Sequence, residues 1–233
     1  MMNVDRVMAE LENLADPDRL DGMARAGIAS DRAMGVKIPD LRRLAKQIGR
    51  GDHELALALW TKGGRETMIL ASMIDDPRQV TDQQAEAWAK DFYDWEVCDQ
   101  TVANLLEKTP LAWDKAAQWS IRPEEGVKRA GFVLMARLAV SDKKARDQMF
   151  YPFFPMMVRE AADGRNLVKK AVNWALRQIG KRNPNLNQRA LQTARQIQEI
   201  DHPAARWIAS DAIRELESEA VRKRVAAKAG VGR

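Results

Sequence analysis

An all-α fold built from paired helices is what this sequence predicts, and three observations predict it. Ala, Leu, Glu, Gln, Lys and Arg are abundant while Val, Ile and Thr are sparse. Apolar residues recur at three- and four-residue intervals along nearly the whole chain. Prolines fall between these periodic runs, several at the first helical position, where their fixed φ is an asset.

The elements follow in order. The chain opens on an acidic, amphipathic run at 3–14, followed by 17–27. Pro39 starts DLRRLAKQI at 39–49, and His53 falls in the first turn of 52–61. Glu66 stands at the start of 65–75, where the helix dipole favours a carboxylate and a nearby Arg could pair with it. The runs 81–92 and 95–108 come next, and Pro110 opens 110–120. After 124–139, the run 143–161 holds MFYPFFPMM; it is too short to span a membrane and suits core packing or a hydrophobic docking patch. Pro152 and Pro155 should kink or split that helix. The last four runs are 166–182, 186–199, 203–217 (opened by Pro203) and 219–228.

Short helices joined by short loops, without a long linker or low-complexity segment, suit a single domain over 1–233 in which antiparallel helix pairs stack into a superhelix. HEAT-type repeats of roughly 40–47 residues would fit five or six times, although no copy aligns with another by identity. Such α-solenoids curve, and the concave face is the usual binding surface.

Composition removes several classes. With 45% hydrophobic residues the chain can bury a core, which argues against disorder. A single cysteine, Cys98, rules out a disulfide framework, and with His53 and His202 it cannot make an ordinary Cys/His zinc site, so only a carboxylate metal site stays open. Cys98 reads as a small buried apolar residue, and neither histidine acquires a role. No apolar run reaches membrane-spanning length and the N-terminus does not resemble a signal peptide, so a cytoplasmic location is expected. Phosphate-loop, dinucleotide, HExxH, GxSxG and CxxC motifs are missing, so no cofactor is expected.

Charge points to a partner. Lys and Arg total 38 against 33 Asp and Glu, a balance of +5. Residues 1–120 hold 15 basic and 21 acidic groups (−6), and the remainder 23 and 12 (+11). From Arg165 to Gln198 there are eight basic residues and no acid. Such a field attracts a polyanion, nucleic acid first, unless it is merely a solvated helix face.

Two groups stand out among seven tryptophans. Trp95 and Asp99 are four apart in DWEVCDQTVANLL, which puts an aromatic plane and a carboxylate on one helical face. Alternatively Trp95 is core and Asp99 caps QTVANLL or is a surface charge. Lys170, Trp174, Arg177 and Lys181 follow at intervals of 4, 3 and 4, setting a ring inside a basic stripe, or half burying it under Lys and Arg stems.

MGVKIPDLRRLAK (34–46), LALWTKGGRET (57–67), DWEVCDQ (94–100), GVKRAGFVLM (126–135), VKKAVNWALRQIGKR (168–182) and RWIASDAIREL (206–216) occur in this order, and over roughly residues 20–215 the sequence resembles the AlkD-like DNA alkylation repair proteins. The resemblance implies a HEAT-like-repeat glycosylase that hydrolyses the N-glycosidic bond of N3- or N7-alkylated purines, such as 3-methyladenine and 7-methylguanine, in double-stranded DNA; a monomer is expected. It implies that Asp99 is the catalytic carboxylate, Trp95 and Trp174 the cleft tryptophans, and Arg129 and Arg177 phosphate ligands. Lys128 replaces the first arginine of a basic pair, and Lys37 with Ile38 corresponds to a tip that can touch DNA; Lys170 and Lys181 extend the basic stripe. Some members carry an aromatic residue aligned near Ala26, whereas none lies between Arg25 and Met34 here. That departure keeps a second expectation in view, a non-catalytic DNA-binding or damage-sensing protein of the same family, and a protein-binding helical scaffold is a third.

Overall fold

A computed structural model describes residues 2–229. It contains fourteen α-helices and, among the described residues, no strand: α1 (Val4–Asn13), α2 (Leu20–Arg25), α3 (Ile38–Ile48), α4 (His53–Trp60), α5 (Arg65–Ile74), α6 (Asp82–Lys90), α7 (Trp95–Asn104), α8 (Ala112–Ser120), α9 (Glu125–Ser141), α10 (Phe153–Glu160), α11 (Asn166–Gly180), α12 (Pro184–Gln198), α13 (Pro203–Leu216) and α14 (Glu219–Ala229). Each coincides with one of the periodic runs. Side-chain caps fix several starts: Asn3, Asp52, Thr81, Asp94 and Asn183 accept backbone N–H bonds from the turns they precede, and His202 Nδ1 accepts from Ala204 N at 3.2 Å. Each such cap stabilises its helix by about 1 kcal/mol.

Three runs subdivide where local chemistry demands it. Pro17 opens a 3-10 turn, Pro17–Arg19, ahead of α2, and α7 gives way after Asn104 to a 3-10 turn at Leu106–Lys108. The 143–161 run splits at its prolines into a 3-10 turn, Asp147–Phe150, and α10, capped by Pro152. Pro155 stands in the first turn of α10, where its missing N–H has no intrahelical partner to lose. A further 3-10 turn, Ser30–Arg32, has no periodic signature.

The chain divides into two compact units, Met1–Leu111 and Ala112–Arg233. In the first, α3, α5 and α7 lie side by side and α4 packs on α5. All ten residues of α5 are buried, including Arg65 and Glu66. In the second, α9 is central, packed between α8 and α11, and α11 in turn meets α12 and α13. The aromatic run joins this core: Phe150, Phe153, Phe154 and Met157 are buried, and Trp113 stacks on Phe153 at 5.6 Å.

The α8–α9 contact depends on one missing side chain. A Cβ on Gly131 would stand 2.5 Å from Ser120 N and 2.9 Å from the Trp119 carbonyl carbon, both rigid backbone. Gly131→Ala is therefore expected to destabilise the protein by about 1–3 kcal/mol through forced separation of the two helices, read as a lower urea midpoint at unchanged slope.

Candidate nucleic-acid interface and carboxylate site

The first unit builds its candidate site around the start of α7. Asp94 Oδ1 accepts from Glu96 N and Val97 N, both at 2.9 Å, and Oδ2 accepts from Ala29 N at 3.0 Å. One carboxylate thus caps the helix and ties the segment after α2 to it. That segment holds Trp95 in return: its Nε1–H donates to the Ala26 carbonyl at 3.0 Å. Trp95 and Asp99 are both half-buried, one turn apart, on a helix whose Val97, Cys98, Thr101 and Val102 are fully buried. The choice between sequence alternatives is decided locally. Asp94 is the cap, Asp99 is mid-helix, and Trp95 is a pinned, partly accessible ring rather than core.

Beneath this lies a buried ionic network that sequence reasoning missed apart from Glu66. Arg65, 2% exposed, donates from Nε to Glu96 Oε2 at 2.7 Å and from Nη1 to Glu66 Oε1 at 2.8 Å and the Val36 carbonyl at 3.0 Å. Glu66 also accepts from Met34 N at 2.9 Å and Val36 N at 3.2 Å. Burial pulls the Arg65 pKa down, yet the hydrogen bond and charge of Glu96, with Glu66 added, outweigh it and raise it overall. Glu66 is therefore the clasp between α5 and the 34–36 strap, more than a dipole partner. The sequence signal was a charged pair, Arg65–Glu66, opening a helix with no further polar face.

Next to it, Arg32 sits 4.7 Å over the Tyr93 ring, and burial, with the nearby Asp94, pushes the Tyr93 phenol pKa up. Lys37 is exposed at the N-cap of α3, and Ile38 beside it is half-buried.

In the second unit α11 carries the basic stripe. Lys170 is exposed and Trp174 half-buried. Arg177 Nη1 pairs with Glu215 at 2.5 Å and Asp211 at 3.2 Å, and Lys181 Nζ bonds the other Glu215 oxygen at 2.5 Å. Burial alone would raise the Glu215 pKa, but Lys181 and Arg177 override it and hold the carboxyl below its usual range. Two carboxylates of α13 thus face Arg177 of α11 and Lys181 just beyond its end, and the acid-free run of sequence is not acid-free in space.

The remaining cations of that run are also engaged. Arg182 donates to the Ala139 and Ala145 carbonyls, Arg189 lies 3.8 Å over the Tyr151 ring, and Lys169 lies 4.8 Å over Trp207. Arg129, 6% exposed, donates to the Leu167 carbonyl at 2.8 Å near the start of α11. Lys128, 8% exposed, bonds Glu160 at 2.6 Å and Asp163 at 3.1 Å. Of the six cations expected at DNA, Lys37 and Lys170 are exposed, while the other four hold protein partners.

Arg165 completes the Lys128 cluster with a 2.5 Å bond to Asp163. The Arg165 hydrogen bonds lower the Asp163 pKa to about 2 against a usual 3.8, although burial opposes them. A depressed folded-state pKa gives stability that is full above the unfolded value and lost as pH falls through the folded one. Urea unfolding should therefore show Asp163→Asn less stable than wild type at pH 7, with the gap closing between about pH 4 and pH 2.

Elsewhere Cys98 is buried, His53 Nδ1 pairs with Asp75 Oδ1 at 2.7 Å, and His202 caps α13. No helix among the described residues is long and apolar enough to cross a membrane.

The sequence profile of a family described as "DNA alkylation repair enzyme" matches residues 7–216. A solved structure described as "A new family of proteins related to the HEAT-like repeat DNA glycosylases with affinity for branched DNA structures" superposes with a TM-score of 0.74 at 22% identity, covering 96% of each chain. The fold is thereby the HEAT-like repeat fold. Among curated proteins none matches.

Proposed function

Because this chain belongs to the DNA alkylation repair enzyme family, we propose that it is a monofunctional DNA glycosylase acting on cationic N3- and N7-alkylated purines in duplex DNA. The observation that carries this reading is the pairing of Trp95 with Asp99 on the accessible arc of α7, the indole fixed by Ala26 and the carboxylate one turn beyond. Alkylation leaves the purine positively charged, so its glycosidic bond breaks with little acid assistance and the sugar acquires oxocarbenium character. A carboxylate beside that sugar stabilises the developing charge and orients a water toward the anomeric carbon. Trp95 offers an apolar face to the deoxyribose and shields the carboxylate from bulk water, which strengthens its field. In the second unit the half-buried Trp174 offers a further aromatic face. The exposed Lys170 there and Lys37 in the first unit supply charge toward phosphates that positions the strand without reading sequence, whereas Arg129, Arg177, Lys128 and Lys181 would do so only on exchanging their protein partners.

A second reading is favoured by two observations. The structure with a TM-score of 0.74 is described as having affinity for branched DNA, and this chain has no aromatic residue between Arg25 and Met34, the stretch whose Ala26 carbonyl is committed to Trp95. Here the same surfaces would hold branched DNA without cleaving a glycosidic bond. One experiment separates the two: release of 7-methylguanine and 3-methyladenine from methylated duplex, with duplex and four-way-junction binding measured in parallel. Base release supports the glycosylase. Tight junction binding without release supports the second reading.

Lys170 gives a check on the phosphate contacts. As an exposed cation of α11, it should on replacement by Ala weaken all duplexes alike and reduce the log–log salt slope by about 0.9. An unchanged slope removes it from the interface.

A further inference from the structure

The acidic half of the chain contains a cationic pocket of its own. Arg42 and Lys46 lie four residues apart on α3, a spacing that keeps their side chains on one face, and Arg50 follows beyond the helix end. The three line a cavity of about 420 Å³ together with Gly49, Met73 at the end of α5 and Asn104 at the end of α7. No carboxylate lines it. All three cations are exposed, and among the described residues none forms an ion pair or a side-chain hydrogen bond.

The fold itself gains nothing from this grouping. Like charges one turn apart repel and weaken a helix. Acids were available, since residues 1–120 carry 21 of them against 15 bases, and Arg43 on the neighbouring face of α3 does pair with Asp40. The α3 dipole accounts for Lys46 in the last turn, but its effect fades within a turn and leaves Arg42 unexplained. Nor are bare helix-end carbonyls the partners, because Ala45 O accepts from Gly49 N and Ile74 O from Gly51 N. Gly49 has φ +93°, with open space where a Cβ would be, so glycine is required there by the turn and not by crowding. That turn is what leads the chain from α3 to Arg50 at the cavity.

The pocket terminates the accessible arc of α7. Trp95, Asp99, Gln100, Ala103 and Asn104 are all half-buried, and Asn104 is a pocket residue. Five residues separate Asp99 from Asn104, about 7.5 Å of helix axis. A DNA strand advances about 3.4 Å of axis per phosphate. At 3.6 residues per turn Asn104 is also turned about 140° around α7 from Asp99, so a strand with its reacting sugar at Asp99 reaches the pocket by crossing the helix obliquely, about one to three phosphates along. The Asn104 amide already donates to Ser72 Oγ and Gln100 Oε1, so the charge must come from the three cations.

We propose that Arg42, Lys46 and Arg50 form a receptor for a single backbone phosphodiester of the bound DNA strand, fixing the strand's register against Asp99. The inference rests on the DNA reading above and adds to it a site in the acidic unit, where the charge balance does not point.

The test is salt-dependent binding of a duplex carrying one tetrahydrofuran residue in place of the excised nucleotide. The Arg42→Gln/Lys46→Gln protein is expected to show a log–log salt slope about 0.9 smaller than wild type and roughly eightfold weaker binding at 0.1 M salt, the contribution of one phosphate. A neutral methylphosphonate, scanned about one to three nucleotides from the tetrahydrofuran, should at one position cost wild type the same factor and cost the variant, which keeps only Arg50, less. Because both side chains are exposed and mutually repulsive, the variant's thermal midpoint should stay equal or rise; should the double variant misfold, Arg50→Gln, outside the helix, takes its place, with a slope loss expected below about 0.9 because Arg42 and Lys46 remain. Equal slopes and affinities in a wild type that binds DNA overturn the pocket and leave the glycosylase reading standing. Additive slope losses near 2.7 across three single variants overturn the one-phosphate receptor in favour of separate contacts. A wild type that binds neither duplex nor junction overturns both readings.

Discussion

Asp99→Asn protein is expected to bind methylated duplex DNA as tightly as wild type, within about twofold, and to release 7-methylguanine about 10²–10³-fold more slowly. The substitution keeps the shape of the side chain and removes its charge. Asp99 lies in the middle of α7, whose start is capped by Asp94, so the change leaves the helix start untouched. Binding is expected to hold because phosphates are met by cations, and removal of a carboxylate from a polyanion site cannot weaken it electrostatically. Release is expected to fall because an amide dipole stabilises an oxocarbenium ion far less than a full charge does, about 3–4 kcal/mol at the upper end of such losses. Partial exposure of Asp99 admits water and screens the charge, which sets the expectation at 10²–10³ and no higher. Single-turnover release of free base against time, with affinity measured on the same duplex, is the measurement. Equal release by both proteins would remove Asp99 from the chemistry.

Arg65→Met should have the largest effect on stability, a loss of about 3–5 kcal/mol. Arg65 is 2% exposed between Glu66 and Glu96, and Met fills similar volume without charge. The loss comes less from the missing attraction than from two carboxylates left together in a buried site. A companion variant separates these causes: Arg65→Met with Glu66→Gln and Glu96→Gln should recover a substantial part of the loss, since neutral amides can be buried more cheaply. Urea unfolding of the three proteins reads the difference, and a triple variant no more stable than the single one would show that packing was responsible. The same network reaches the site through Glu96 in the first turn of α7 and through Met34 and Val36 on the strap. Loosened anchoring should therefore also broaden the environment of Trp95, visible in its indole fluorescence at temperatures where the variant is still folded.

The sequence by itself determined the helices. Periodicity at 3.6 residues, proline at first helical positions and Asp or Asn caps are local signals, acting over a turn or two, and each of the fourteen runs became a helix. It also determined the spacing of Trp95 with Asp99 and of Lys170, Trp174, Arg177 and Lys181, because residues on one helical face are fixed by the helix alone. Tertiary structure decided what those faces meet. Glu215 lies 38 residues from Arg177, Glu96 lies 31 from Arg65, and the Ala26 carbonyl lies 69 from Trp95. No local pattern specifies such partners. A charge tally along the chain consequently overstated the basic stripe of α11, which α13 faces with two acids. The same tally understated the first unit, where an overall excess of acid conceals three unpaired cations gathered at one cavity. Local propensity acts through the backbone of a few neighbouring residues, whereas Coulomb interaction and burial depend on distance in space, and only the packed chain sets that distance.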